Sequence, residues 1–139
     1  MREQRGKYLE RQLDQVLEAL ACGGVHGHKN HAHRTITGVF LEGEPFDYEV
    51  FARGRLHVWD AKECHVGAWN LNTIAKPGQL NNLCMLEKHG ADAFFLVYFH
   101  KSCKVVKFTA GQVKTAMAEG RKSLRAEDGE EWRWQSLIE

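Results

Sequence analysis

Residues Gly43–Glu63 read GEPFDYEVFARGRLHVWDAKE, and this stretch decides the fold. Phe46–Ala52 and Leu56–Cys64 read as two strands, joined by a short turn at Arg53-Gly54-Arg55, so a hairpin is predicted. Side chains alternate along a strand, which puts Asp60 and Lys62 on one face. Asp47 lies on the partner strand and reaches the same face across the ladder. Two carboxylates brought together repel, and burying them is costly unless a cation compensates them. A divalent metal with hard oxygen ligands answers that need, and Mg²⁺ or Mn²⁺ suits it. Lys62 then stands beside the ion, placed to hold water or to stabilise charge growing on a phosphate. The plainer reading of Asp47, Asp60 and Lys62 is a cross-strand salt bridge on an exposed sheet face.

Working outward, Gln4–Leu20 reads as an amphipathic helix, because Leu9, Leu13, Val16, Leu17 and Leu20 recur at three-and-four spacing; Gly23-Gly24 ends it. Val25–Arg34 is a His-rich loop or irregular strand, Arg34–Leu41 a β-branched strand, and Glu42–Pro45 a turn. After the hairpin, Val66–Lys76 reads as a loop. Pro77–His89 reads as a helix opened by proline and closed at Gly90. Ala93–His100 contains FFLVYF and is expected as a central strand buried on both faces. Lys104–Phe108 is a further strand, and Thr109-Ala-Gly-Gln112 a capping box opening a last helix that runs to about Gly120. The tail, with Trp132 and Trp134, receives no element. The order α β β β α β β α predicts an α/β (α+β) fold in which helices flank a mixed central sheet.

The 139 residues fit one domain, 1–139, by the prior of about 100–200 residues per domain. With 43% hydrophobic and 27% charged residues, the chain has the composition of an ordinary globular protein and not of a disordered or fibrous one. No apolar run approaches the ~20 residues of a membrane helix. The N-terminal MREQRGKYLERQLDQ is too polar for a signal peptide, so a cytoplasmic protein without membrane contact is expected. Cys22, Cys64, Cys84 and Cys103 show no Cys-x-x-Cys spacing and read as free thiols in a reducing compartment. The net charge of +1 conceals a pattern. Seven basic residues face one acid between Lys101 and Arg125, and six acids face three bases between Glu42 and Glu63. Acids for a metal beside bases for phosphates is the layout of a metal-dependent nuclease; solvated surface charge is the plainer reading.

The arrangement resembles the PD-(D/E)xK nuclease superfamily through Pro45-Phe46-Asp47 and Asp60-Ala61-Lys62. Pro and Asp stand one residue further apart here than in the motif, and the second acid is Asp where Glu is commoner. Three local patterns together are similar to the RecU-type Holliday junction resolvases, especially the short forms of phages and prophages. They are Arg5-Gly6-Lys7-x-x-Glu10, then Phe46-Asp47-Tyr48 with Trp59-Asp60-Ala61-Lys62-Glu63, then Trp69-Asn70-Leu71 leading to Gln79. The resemblance implies a restriction-endonuclease-like core and a homodimer that resolves four-way DNA junctions with Mg²⁺ or Mn²⁺ by phosphodiester hydrolysis. It implies Asp47 and Asp60 as metal ligands and Lys62 as the catalytic lysine. Glu10 would join the metal or its water shell, and Gln79 would orient water or phosphate. Arg5 and Lys7 would touch the DNA backbone.

The segment HGHKNHAHR sets His26, His28, His31 and His33 close together near Cys22. It admits three readings: a polar loop, a phosphate contact in which Lys29 and Arg34 supply the charge, or a zinc site. Lys101, Lys104 and Lys107 suit either an edge strand guarded by lysines or a track for a DNA backbone. Two other functions stay open on sequence. One is a related nuclease acting on duplex ends or flaps. The other is a non-catalytic DNA- or zinc-binding module with a structural acidic cluster.

Overall fold

A computed structural model describes residues 7–29, 33–34, 40–41, 46–74 and 77–139. The predicted hairpin forms as β4 (Tyr48–Ala52) and β5 (Arg55–Cys64), antiparallel with Tyr48 opposite Trp59. Its loop is the two-residue kind that matches strand twist, since Arg53 and Gly54 both take positive φ, 54° and 78°. β1 (His26–Lys29) pairs on the outer side of β4, which places half of the His-rich segment in a strand. β2 (His33–Arg34) and β3 (Phe40–Leu41) form a separate small ladder. The middle of the strand expected over 34–41, the turn expected over 42–45, Arg5 and His31 lie outside the described residues.

β7 (Asp92–Phe99) runs parallel to β5 in the middle of the sheet, and every residue from Ala93 to Phe99 is buried, as its unbroken apolar run predicts. The chain reaches it through β6 (Ala68–Asn70), a 3-10 turn at Leu71–Thr73, and α2 (Pro77–Lys88). The stretch expected as a loop over 66–76 thus holds a short strand and a 3-10 turn, which Asn70 caps by accepting from the Asn72 N–H at 2.9 Å. β8 (Lys104–Thr109) is antiparallel to β7. α3 (Ala110–Ala118) follows, capped by Thr109, whose hydroxyl accepts from the Gln112 N–H at 3.1 Å. The Gln112 side chain does not close the capping box; its amide donates to the Asp128 carbonyl. The tail folds back as β9 (Ser123–Arg125) against β6 and β10 (Glu130–Glu131) against β8. β8 is therefore no free edge at Val106 and Lys107.

The main sheet has the order β1-β4-β5-β7-β8-β10, all antiparallel but for the β5–β7 pair. α1 (Lys7–Cys22) covers one face through Leu9, Leu13 and Leu20. Beneath it Tyr48, Trp59 and Phe94 stack across three strands, at 5.5 and 5.3 Å between ring centres. Trp132 tilts against Trp59 at 6.0 Å, and Trp134 packs on the same cluster, so the tail tryptophans complete a core. α2 and α3 cover the other face through Leu83, Val113 and Ala116. All four cysteines are free, and among the described residues no helix is long and apolar enough to cross a membrane.

At the start of β7, Asp92 bonds His57 Nδ1 at 2.7 Å and Lys107 Nζ at 2.9 Å. Burial alone would raise its carboxyl, but the His57 and Lys107 hydrogen bonds hold it below the usual carboxylate value. Replacing Asp92 by Ala leaves Lys107 and His57 half-desolvated without a partner. We expect a loss of about 2–4 kcal/mol in urea unfolding at pH 7. A depressed carboxylate contributes stability above its unfolded pKa and loses it as pH falls through the folded value. The difference between wild type and variant should therefore shrink below about pH 4.

Candidate active site

β4 and β5 part company at Asp47. Its N–H still bonds the Trp59 carbonyl at 3.0 Å, but the next ladder position is filled by its side chain: Asp47 Oδ2 accepts from the Ala61 N–H at 3.0 Å. From Ala61 to Cys64, β5 runs on with β7 alone. The gap opens beside Asp60 and Lys62, the two residues that alternation puts on the α2–α3 face with Val58 and Cys64.

Asp60 is 1% exposed. Lys62 Nζ lies 3.1 Å from its Oδ2 and also donates to the Thr73 carbonyl at 3.4 Å, which ties the lysine to the 3-10 turn after β6. Asp60 Oδ1 is buried without a hydrogen-bond partner. Burial pushes the Asp60 carboxyl up, and the adjoining Asp47 carboxyl adds to this by hydrogen bonding and charge. Lys62 opposes both, and the balance stands at about 8. Lys62, the one cation bonded to Asp60 among the described residues, is thus too little for the negative charge there. The Tyr48 hydroxyl, on the α1-facing side of β4, shows the reach of these charges. It is buried without a partner, and its pKa is raised by that burial and then by Glu10, Asp14, Asp47 and Asp60. The orphaned Asp60 oxygen and this surplus of negative charge fit a divalent cation with oxygen ligands.

The structure therefore brings Asp47, Asp60 and Lys62 together. Glu10, on α1, is ion-paired with Lys7 at 3.2 Å and Lys29 at 3.6 Å. Lys29 also lies over the Tyr48 ring, 5.8 Å from its centre. Lys7 and Lys29 so form a basic rim beside the acids. Gln79 is half-buried in the first turn of α2, and its side chain makes no hydrogen bond among the described residues. Arg34 lies in β2. His26 and His28 are exposed on one face of β1, with ring centres 6.5 Å apart.

A second polar group escaped sequence reasoning. On the opposite, α1-facing side of β5, Glu63 accepts the Leu9 N–H at 3.1 Å through Oε2 and is joined to His100 Nε2 at 2.6 Å through Oε1. His65 stacks on His100 at 4.0 Å between ring centres. The only trace in the sequence is the pair Glu63 and His65 just after Lys62. His100 arrives through the parallel β5–β7 pairing, where the His100 N–H bonds the Cys64 carbonyl at 2.9 Å.

A known structure shares this architecture. Hjc, a Holliday junction resolvase from the archaeal hyperthermophile Archaeoglobus fulgidus, matches with a TM-score of 0.53 at 14% sequence identity. The match covers 88% of this chain and 94% of that one. The restriction-endonuclease type of fold expected from the sequence is thereby borne out. No curated protein matches in sequence. The family model described as Recombination protein U matches residues 4–135, spanning both the α1 acid and the β4–β5 site. The chain belongs to the Recombination protein U (RecU) family of Holliday junction resolvases.

Proposed function

We propose that this protein is a Mg²⁺- or Mn²⁺-dependent endonuclease that cuts four-way DNA junctions as a homodimer in the cytoplasm, with the β4–β5 gap as its active site. The observation that carries the reading is the buried Asp60 with an unpartnered oxygen, set between a second carboxylate and a lysine. Asp47 and Asp60 would hold the metal, with Glu10 at its water shell. When bound, the ion supplies Lewis-acid polarisation of the scissile phosphate and of water.

The chain's own residues do the rest. Asp47 is oriented by the Ala61 N–H, so its carboxylate stays aimed at the gap. Lys62 is held between Asp60 and the Thr73 carbonyl, which keeps its ammonium where charge grows on the phosphate. Gln79 would orient water or phosphate from the head of α2. Arg5, Lys7, Lys29 and Arg34 would contact DNA backbone and fix its register without reading bases. In this reading shape decides specificity, and two subunits present two sites to opposite strands of the junction.

The test is cleavage of a labelled immobile four-way junction with Mg²⁺, beside linear duplex and a flap. Paired symmetric nicks in the junction alone are expected. Equal cutting of every substrate would remove the junction preference, and binding without cutting in Mg²⁺ or Mn²⁺ would remove the catalytic reading. Lys62→Ala should lower the cleavage rate by about 100-fold or more, with junction affinity nearly unchanged.

A further inference from the structure

We infer that Glu63, His65 and His100 form a second metal site, selective for a transition ion of the zinc type and separate from the β4–β5 gap. One ligand atom from each of the three side chains lies within 4.8 Å of the other two. They come from three places: the end of β5, the bend after it, and the residue following β7. Two imidazoles and one carboxylate make a donor set that favours Zn²⁺, Co²⁺ or Ni²⁺ over Mg²⁺. The Asp47–Asp60 set has only oxygen donors and the opposite preference. The two groups also occupy opposite faces of the same strand, so filling one does not require the other.

The local structure is arranged for an ion. The Glu63 side chain is 5% exposed and anchored from behind, because Oε2 accepts the Leu9 N–H. That leaves Oε1 directed at the His100 ring, 2.6 Å from Nε2. His100 meets the Tyr98 ring in a T-shaped contact, with centres 4.6 Å apart and planes at 82°. An orienting bond behind the carboxylate and an aromatic wall beside the imidazole are supports that ligands of metal centres use. An ion would take the place of the hydrogen between Glu63 and His100. Tetrahedral bonds of about 2.0–2.1 Å need ligand atoms roughly 3.3 Å apart. His65, exposed in its bend, can turn in by the remaining distance without moving the core. Water would complete the shell. The bound ion would tie the ends of β5 and β7 together and, through Glu63, the first turn of α1 that carries Lys7 and Glu10.

The experiment uses tag-free, full-length Asp60→Asn protein, in which the gap is disabled. Co²⁺ is titrated by visible absorption and Zn²⁺ by thermal melting. One equivalent of Co²⁺ should give the intense bands of a four-coordinate site without a thiolate band. Zn²⁺ should raise the melting temperature. His65→Ala should weaken binding by more than about 10-fold, and His100→Ala should do the same. Because His65 is exposed, that variant folds and keeps the test decisive. A His26→Ala/His28→Ala protein should bind as before. Weak octahedral absorption, binding that survives His65→Ala, a thiolate band from Cys103, or loss only in the β1 double variant would each overturn the assignment.

Discussion

Asp60→Asn should abolish junction cleavage and, in the same variant, make the metal-free protein more stable. The two effects have one cause. Asp60 is buried beside Asp47, its Oδ1 has no partner, and Lys62 is the one cation bonded to it among the described residues. In the absence of metal its carboxyl stands raised from 3.8 to about 8. A group raised in the folded state favours folding below its unfolded pKa. That advantage is lost as pH climbs from about 4 towards 8, and stability is flat above. Each tenfold change in proton affinity is worth about 1.4 kcal/mol at most, and sharing of charge with Asp47 and Lys62 reduces the net to about 2–3 kcal/mol. Asparagine removes the charge and keeps the shape. In EDTA at pH 8 the variant should therefore melt about 5–10 °C higher than wild type, and the gain should vanish near pH 4. Cleavage should fall by about 10³-fold or more, because the proposed metal ligand is lost. A variant that melts lower in EDTA would show the Asp60 carboxylate to be a structural partner of Lys62. The site would then revert to a salt-bridged strand pair.

The parts of the fold that could be read from the sequence are those with local causes. Arg53-Gly54 supplies the two positive φ angles of a tight hairpin, and Thr109 supplies its own cap. The run from Ala93 to Phe99 has too few polar positions for any place but the sheet's centre. Asp47, Asp60 and Lys62 were legible for the same reason, since strand alternation and one hairpin suffice to bring them together. The tail was not legible. Trp132 owes its place to Trp59, and Leu124 to its pairing opposite Trp69, and no local pattern announces such distant partners. The Glu63–His100 pair is separated by 37 residues and made by a parallel register, which leaves no spacing signature. Glu10 lies between these cases. Its helix was legible, but its ion pair with Lys29 depends on β1, half of a segment that periodicity did not resolve.

The affinity of the gap for Mn²⁺ should rise about tenfold per pH unit from pH 5.5 to about 8 and then level off. In the proposed site the ion would bind the Asp60 carboxylate, and below about pH 8 that carboxyl in the metal-free protein carries a proton that must leave first. One proton released per ion gives a slope of one in log affinity against pH, and none above the pKa. Lys62→Met should move the levelling point upward, because the ammonium is what holds Asp60 down against burial and Asp47. Calorimetric titration of Mn²⁺ in buffers of different ionisation heat measures both the affinity and the protons released. His65→Ala protein should be used, so that binding at the Glu63–His65–His100 group is weakened and stays apart from the titration. About one proton at pH 6.5 and nearly none at pH 9 is the expected result. A flat profile would mean that Asp60 ionises without the metal, and that Lys62 alone balances the two aspartates. A slope near two would mean that a second proton leaves with each ion bound.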